Sequence, residues 1–269
     1  MRIPFHKMHG LGNDFVVIDA RTAPLAMSAQ RAAALADRHT GIGCDQLIVL
    51  EPSSRADVTM RIFNPDGSEV GACGNASRAV GLLLGGRTRI ETAGGLIEAE
   101  AGDSGISVDM GVPRFDWDAI PLAYAMDTLA MPVGWDDLAD PVAVNVGNPH
   151  AVFFVEDAQA VDLARLGPII ETDPVFPERV NVNVAHVAGP DHIVLRVWER
   201  GAGLTRACGT GACATAVAAM RRRLTGRQVR VDLPGGSLVI AWREDGTILM
   251  TGPASASFDG AFDDALYPL

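Results

Sequence analysis

The feature that most constrains this chain is that it repeats itself. The segment RIFNPDGSEVGACGN, from Arg61 to Asn75, aligns without gaps on RVWERGAGLTRACGT, from Arg196 to Thr210. The two Ala-Cys-Gly turns fall at Cys73 and Cys208, a displacement of 135 positions (208 − 73 = 135). Each segment opens with Arg and two apolar residues that read as strand, passes a Gly-containing turn, reaches Ala-Cys-Gly and enters an apolar, Ala-rich helical stretch. The same displacement relates Gly12-Asn13 to Gly147-Asn148, Gln46 to Asn181, and Asn64 to Glu199. RIETAGG, from Arg89 to Gly95, resembles RVDLPGG, from Arg230 to Gly236, at a displacement of 141, which implies a short insertion. Matches in one order at nearly one displacement are the mark of a duplicated domain.

Periodicity fills in each half. Strand-like runs are Phe15–Ile18, Leu47–Leu50, Val58–Phe63, Ala151–Val155 and Ile193–Trp198; helical stretches are Ala29–His39, Ala76–Leu84, Ala158–Leu166 and Ala212–Leu224. Strands often follow one another with no helix between them, so the expected class is α+β rather than a doubly wound parallel sheet. From Pro113 to Pro141, the residues Trp117, Pro121, Pro132 and Trp135 break any regular pattern, and a linker is expected there.

Composition removes whole classes of function. With 269 residues the chain has room for one large or two modest domains, at about 100–200 residues each. A net charge of −11 disfavours a nucleic-acid partner, because phosphate binding needs a basic surface. The run Arg221-Arg222-Arg223 follows an Ala-rich helix and reads as favourable charge at a helix C-terminus. No apolar run reaches the ~20 residues of a membrane span, and the first ten residues hold no signal-peptide apolar region, so a cytoplasmic location with free thiols is expected. The chain has a single lysine, Lys7, with no phosphate-binding loop near it. A pyridoxal-phosphate enzyme needs a lysine for its Schiff base, so cofactor-based racemisation is not expected, and no cofactor is.

The chemistry lies at the two turns. A cysteine where a loop enters a helix meets free N–H groups and the positive end of the helix dipole, which lowers a thiol pKa and makes an anion site. Inverting a Cα centre requires one group to remove a proton from one face and another to return one to the opposite face. Two matched turns supply such a pair, one thiolate and one thiol titrating as a unit, with N–H donors at Gly74, Asn75, Gly209 and Thr210 for a carboxylate that carries the developing charge. Cys44 and Cys213 read as buried packing. The cysteine spacing, without any Cys-x-x-Cys, gives no metal site.

These residues resemble the diaminopimelate epimerase family along essentially the whole chain. The matching motifs are GLGNDF around Asn13, GIGCDQ ending at Gln46, FNPDGS around Asn64, and Ala-Cys-Gly-Asn at Cys73. In the second half they are Gly-Asn-Pro-His ending at His150, PERVN ending at Asn181, ERGAG opening at Glu199, and ACGTG around Cys208. The resemblance implies an α/β-roll type of α+β fold. It has two pseudo-symmetric domains, 1–116 plus 255–269 and 117–254, with the active site in the cleft between them. It also implies pyridoxal-independent interconversion of LL- and meso-2,6-diaminopimelate in lysine and peptidoglycan precursor synthesis, and a homodimer. Carried over by position, Cys73 and Cys208 are the acid–base pair, and His150 and Glu199 tune the thiols. Asn13, Gln46, Asn64, Asn148, Asn181, Glu199 and Arg200 contact substrate, with Gly74, Asn75, Gly209 and Thr210 as backbone anion sites.

Two other readings compete. A proline or hydroxyproline racemase uses two cysteines too, but proline's ring needs an apolar pocket, whereas this chain offers several amides and Arg200, whose fork suits a second carboxylate. A non-catalytic binding protein on the same scaffold is disfavoured by the presence of both cysteines.

Overall fold

The computed structural model describes residues 1–267; Pro268 and Leu269, the last positions of the segment expected to join the first domain, lie outside the described residues. The chain divides into two compact units, Met1–Val108 together with the stretch from Gly252 onward, and Asp109–Thr251. The first unit contains β1 (Arg2–Gly10), β2 (Asn13–Asp19), α1 (Ala29–Ala36), β3 (Gln46–Glu51), β4 (Val58–Phe63), β5 (Glu69–Val70), α2 (Gly74–Leu84), β6 (Arg87–Thr92), β7 (Gly95–Gly102) and β8 (Gly105–Asp109). The second contains β9 (Gly134–Trp135), β10 (Leu138–Ala139), β11 (Val142–Asn145), β12 (Pro149–Phe154), α3 (Leu163–Glu171), β13 (Asn181–Gly189), β14 (His192–Glu199), β15 (Gly203–Thr205), α4 (Gly209–Arg221), β16 (Gln228–Leu233), β17 (Gly236–Trp242) and β18 (Ile248–Gly252). A last strand, β19 (Ser255–Asp263), pairs antiparallel with β1, Arg2 opposite Asp263.

Strand register carries the duplication residue by residue. In the first unit β2 runs parallel to β3 with Phe15 opposite Gln46, and β3 antiparallel to β4 with Leu47 opposite Phe63. In the second, β12 runs parallel to β13 with His150 opposite Asn181, and β13 antiparallel to β14 with Val182 opposite Trp198. Each of these second-unit positions is its first-unit counterpart plus 135. Beyond the cysteine helices the displacement becomes 141: Val58 opposite Ile90 corresponds to Ile193 opposite Val231, and Thr92 opposite Gly95 to Leu233 opposite Gly236. The insertion therefore lies at the end of α4 and in the loop that follows. The turn before each second strand keeps its glycine in the left-handed region, Gly12 at φ 87° and Gly147 at φ 103°, where a side chain would be strained.

Each unit rolls its sheet around one helix. All residues of α4 from Gly211 to Met220 are buried, and the helix touches β11, β12, β13, β14, β16 and β17. A helix in contact with strands across a whole sheet requires that sheet to curl round it, and only a slim, Ala-rich helix that is apolar on every side fits there. α2 plays the same part against β1, β2, β6, β7 and β19. The outer helices α1 and α3 cover the opposite faces, α1 against β3 and β4, α3 against β13, β14 and β15. Strands covered on both faces lose the in-out alternation, which is why Phe15–Ile18 and Leu47–Leu50 are continuously apolar and buried.

Two expectations are corrected. The segment from Pro113 to Pro141 is no linker. Ile120, Leu122, Met131 and Leu138 join one core cluster with Phe153, Leu166 and Ile170, and Trp135 stacks on Phe176 while its indole N–H donates to Asp173. Its irregular backbone is held from outside: Asn145 Nδ2 donates to the Ala119 carbonyl and Arg222 Nε to that of Leu129. The run at Arg221–Arg223 thus does more than complement a helix end, with Arg221 also lying over the Phe115 ring, 4.1 Å from its centroid. The third helix spans Leu163–Glu171 rather than Ala158–Leu166. Asp162 caps it through the Arg165 N–H, and burial of Leu163, Leu166 and Ile170 on one face carries it past Pro168.

α3 packs so closely on β14 that a Cβ at Gly167 would lie 2.4 Å from the Trp198 ring. Alanine normally favours a helix interior over glycine by about 0.5–1 kcal/mol. Here the clash reverses the sign, and Gly167→Ala is expected to destabilise the protein by about 1–3 kcal/mol in urea unfolding. Gly226→Ala, where the nearest atom is 3.9 Å away, should stay within about 0.5 kcal/mol of the parent.

Candidate active site

Cys73 and Cys208 are the N-cap residues of the two buried helices. Both have extended backbones, φ −150° and ψ 112° at Cys73, φ −125° and ψ 107° at Cys208. Each sulfur accepts the N–H three residues on, from Ala76 at 3.4 Å and from Gly211 at 3.3 Å. A thiol thus stands where Ser, Thr or Asp ordinarily caps a helix. Cys73 is half-buried and Cys208 is 3% exposed.

In the first unit, amides and an ion cluster gather beside Cys73. Asn75 Nδ2 donates to Asn13 Oδ1 at 3.1 Å, Asn13 Nδ2 to Asp45 Oδ2 at 3.0 Å, and Arg78 Nη2 to Asn75 Oδ1 at 2.9 Å. Behind them Lys7 and Arg38 both bond Asp14, and Arg38 also bonds Asp45. Burial alone would raise the Asp14 carboxyl, but hydrogen bonds from Arg38 and Lys7 outweigh it and hold it at about 2. The only lysine is therefore committed to an ion pair. Gln46 Nε2 donates to Asn64 Oδ1 at 3.3 Å, and Asn64 Nδ2 to Ser68 Oγ at 3.1 Å. Gln46 Oε1 is buried and accepts no hydrogen bond.

In the second unit the Asn181 amide ties two backbone segments together, donating to the Pro149 carbonyl at 2.8 Å and accepting the Arg200 N–H at 2.9 Å. This holds the turn that carries Glu199 and Arg200. Glu171 braces the same turn from α3, accepting from the Gly201 N–H at 3.0 Å and from the Trp198 indole at 2.7 Å. The exposed Arg200 guanidinium donates to the Glu178 carbonyl at 2.9 Å. Asn148 Nδ2 donates to Thr210 Oγ1 at 3.3 Å, and Thr210 Oγ1 lies 3.5 Å from Cys208 Sγ.

The thiol electrostatics differ from the sequence expectation. Burial pushes the Cys208 thiol well up, and the nearby Glu199 carboxylate pushes it further; hydrogen bonds from Thr210 and Gly211 only partly offset this. A helix terminus contributes about 0.3–2 kcal/mol, whereas complete burial can move a pKa by up to about 3–5 units. Burial wins, and Cys208 rests as a thiol. Cys44 is pushed up to about 11, again by burial, and lies in the core among Val16, Leu35 and Leu47. Cys213 is also buried, and all four cysteines are free. His150 is fully buried, which depresses its pKa to about 3, so it is neutral at working pH. Its ring bonds Asn148 and Asn183, and Asn148 in turn bonds Thr210 beside Cys208. Asn183 escaped the sequence reading because it falls in the apolar alternation of β13. The signal available was that its first-unit counterpart, 135 positions earlier, is Ile48.

Among the described residues no group of three or more His, Cys, Asp or Glu is placed to hold a metal ion, and no helix is long and apolar enough to cross a membrane.

A mixed sheet rolled round a helix and then duplicated defines a fold class seen in solved structures. A PhzF-family phenazine biosynthesis protein of Bacillus anthracis matches with a TM-score of 0.70 over 97% of this chain and 99% of its own, at 16% identity. A hydroxyproline epimerase of Agrobacterium vitis matches with a TM-score of 0.68 over 99% and 94%, at 17% identity. At such identities the likeness is one of fold. Sequence similarity goes further: the diaminopimelate epimerase family model matches residues 5–115 and 142–257. The diaminopimelate epimerase of Erythrobacter litoralis is 67% identical over 264 residues, covering 98% of both chains. The chain belongs to the diaminopimelate epimerase family, a family of isomerases.

Neutral burial of His150 makes stability depend on pH. Its folded pKa lies below the unfolded value of 6.5, so below that value the unfolded chain gains a proton that the folded chain refuses. Stability should fall as pH drops from 6.5 towards 3, by about 1.4 kcal/mol per pH unit for one proton. Urea titrations between pH 7 and pH 5 read this slope with little carboxylate contribution, and His150→Gln should flatten it; an unchanged slope would exclude His150 as its source.

Proposed function

We propose that this chain interconverts LL- and meso-2,6-diaminopimelate by proton transfer at a single Cα, with Cys73 and Cys208 as the acid–base pair and no cofactor. The observation that carries the reading is the matched placement of two free thiols as N-caps of two buried helices, one per duplicated unit, in a chain of this family. One thiolate removes the Cα proton while the other thiol delivers its proton to the opposite face. The negative charge passes into the substrate carboxylate, which the N–H groups of Gly74, Asn75, Gly209 and Thr210 receive as an oxyanion hole does.

The neutral resting state of Cys208 suits it to deliver its proton in one direction; in the reverse direction it starts as the thiolate and takes the Cα proton, and the adjacent Glu199 carboxylate raises its proton affinity. His150 acts as a fixed neutral dipole. Asn13, Gln46, Asn64, Asn148, Asn181, Glu199 and Arg200 bind the substrate's amino groups and second carboxylate, and the unpartnered Gln46 Oε1 is a ready acceptor for an ammonium. The setting is cytoplasmic synthesis of lysine and peptidoglycan precursors, and the working form is a homodimer.

Solvent hydrogen exchange tests the reading. In D₂O the reduced protein, without added cofactor, should wash out one Cα proton of diaminopimelate, followed by NMR. No exchange would sink the proposal, and exchange of proline instead would select the hydroxyproline-type reaction. Cys73→Ala and Cys208→Ala should each lower epimerisation by about 10²–10⁴-fold or more, the cost of removing a positioned acid or base. Normal turnover in either variant rules out the two-base scheme.

A further inference from the structure

A chain of hydrogen bonds leads to Cys208 from the buried Asn183–His150 pair through the half-buried Asn148 and Thr210, and the amide placements give it a direction. Asn183 Nδ2 lies 3.0 Å from His150 Nδ1, His150 Nε2 lies 2.9 Å from Asn148 Oδ1, Asn148 Nδ2 donates to Thr210 Oγ1 at 3.3 Å, and Thr210 Oγ1 lies 3.5 Å from Cys208 Sγ. An amide nitrogen only donates, so His150 Nδ1 must accept and the ring proton sits on Nε2. That N–H donates to Asn148 Oδ1, which turns the Asn148 amide nitrogen towards Thr210. The Thr210 hydroxyl, having accepted, has its proton left for the sulfur. The donors from Asn183 to Asn148 all point towards Cys208, and the Thr210 hydroxyl can donate to the sulfur once it is a thiolate.

The duplication supplies an internal control. The first-unit counterparts of His150 and Asn183 are Phe15 and Ile48, both fully buried. The fold therefore accepts apolar residues at both places. A buried His–Asn pair is the more costly choice, the more so because Asn183 Oδ1 has no hydrogen-bond partner. Polarity also differs between the halves. In the first unit the helix-end amide Asn75 donates outward to Asn13, whereas in the second the turn amide Asn148 donates inward to Thr210 at the helix end. A network retained against its cost, and polarised towards one of two otherwise matched thiols, has a task at that thiol.

We propose that Asn183 is a positioning residue for the reaction: it holds His150 in the Nε2–H tautomer and, through Asn148, aims the Thr210 hydroxyl at Cys208. The donated hydroxyl stabilises the Cys208 thiolate when it forms. This rests on Cys208 being one of the acid–base pair. Other groups acting on this sulfur are the Glu199 carboxylate, which opposes the thiolate, and the Gly211 N–H, which supports it; Arg200 is the charge acting on His150.

The test reads the thiolate directly, without substrate. The pH midpoint of Cys208 alkylation by iodoacetamide is followed by peptide mass spectrometry. Thr210→Val and Asn183→Leu should each raise the midpoint by about one unit, a roughly tenfold loss of thiolate at a given pH below it. Thr210→Ser should restore the parent value. The double variant Asn183→Leu/Thr210→Val should move no further than Thr210→Val alone, since both break one chain. Additive shifts, or an unmoved midpoint in Asn183→Leu, would overturn the role of Asn183. Should that variant fail to fold, ¹⁵N NMR of the parent decides: His150 must be the neutral Nε2–H tautomer, and an Nδ1–H ring excludes the proposed direction. Normal diaminopimelate turnover with unmoved midpoints removes only the role of Asn183. Absent turnover in the parent protein removes the reaction that Asn183 would serve.

Discussion

A helix whose first turns are enclosed by the sheet and that begins on a cysteine is the constraint from which the rest of each unit follows. The sheet can curl round α4 because Ala and Gly keep that helix slim, while α2 is enclosed together with the buried Arg78 side chain. Once the helix is enclosed, its N-terminus has one way out, and the residue at that end is set by the roll itself. The thiol is held twice, by the backbone of a buried helix and by the N–H three residues on. This is the rigidity that a proton transfer, sensitive to fractions of an ångström, requires.

Within this frame the electrostatics at Cys208 are a contest of unequal forces. Helix-end N–H groups and the Thr210 hydroxyl favour the thiolate, while burial and the Glu199 carboxylate favour the thiol, and the second pair prevails. Favouring the thiol is not inertness. In the proposed reaction a donor must hold its proton until the carbanion needs it, and the opposing hydrogen bonds from Thr210 and Gly211 favour the thiolate that the reverse direction requires. The surroundings of His150 follow the same logic: complete burial removes its charge, leaving a neutral ring whose two nitrogens have different tasks.

Much of this was legible in the sequence because duplication supplies its own alignment. Cys73 and Cys208, Gln46 and Asn181, and the turns at Gly12 and Gly147 all fall at equivalent register positions. What failed did so for identifiable reasons. Periodicity could not see that Ile120, Leu122, Met131 and Leu138 converge on one core, because their spacing obeys no regular element. Nor could it carry α3 through Pro168, where packing against Trp198 and capping by Asp162 outweigh a local breaker. The Gly211 N–H at the helix end lowers the Cys208 pKa, but burial outweighs it, and exposure is not written in a motif.

Sequence alone determined the duplicated architecture, the two thiols and the family to which the chain belongs, because each is a matter of residue type and spacing along one dimension. Tertiary structure decided what those residues are in place. It made Cys208 a resting thiol, His150 a neutral ring, and Asn183 the start of a directed chain. Protonation state and hydrogen-bond direction depend on how much water remains around a group and on which neighbours replace it, and only folding sets those.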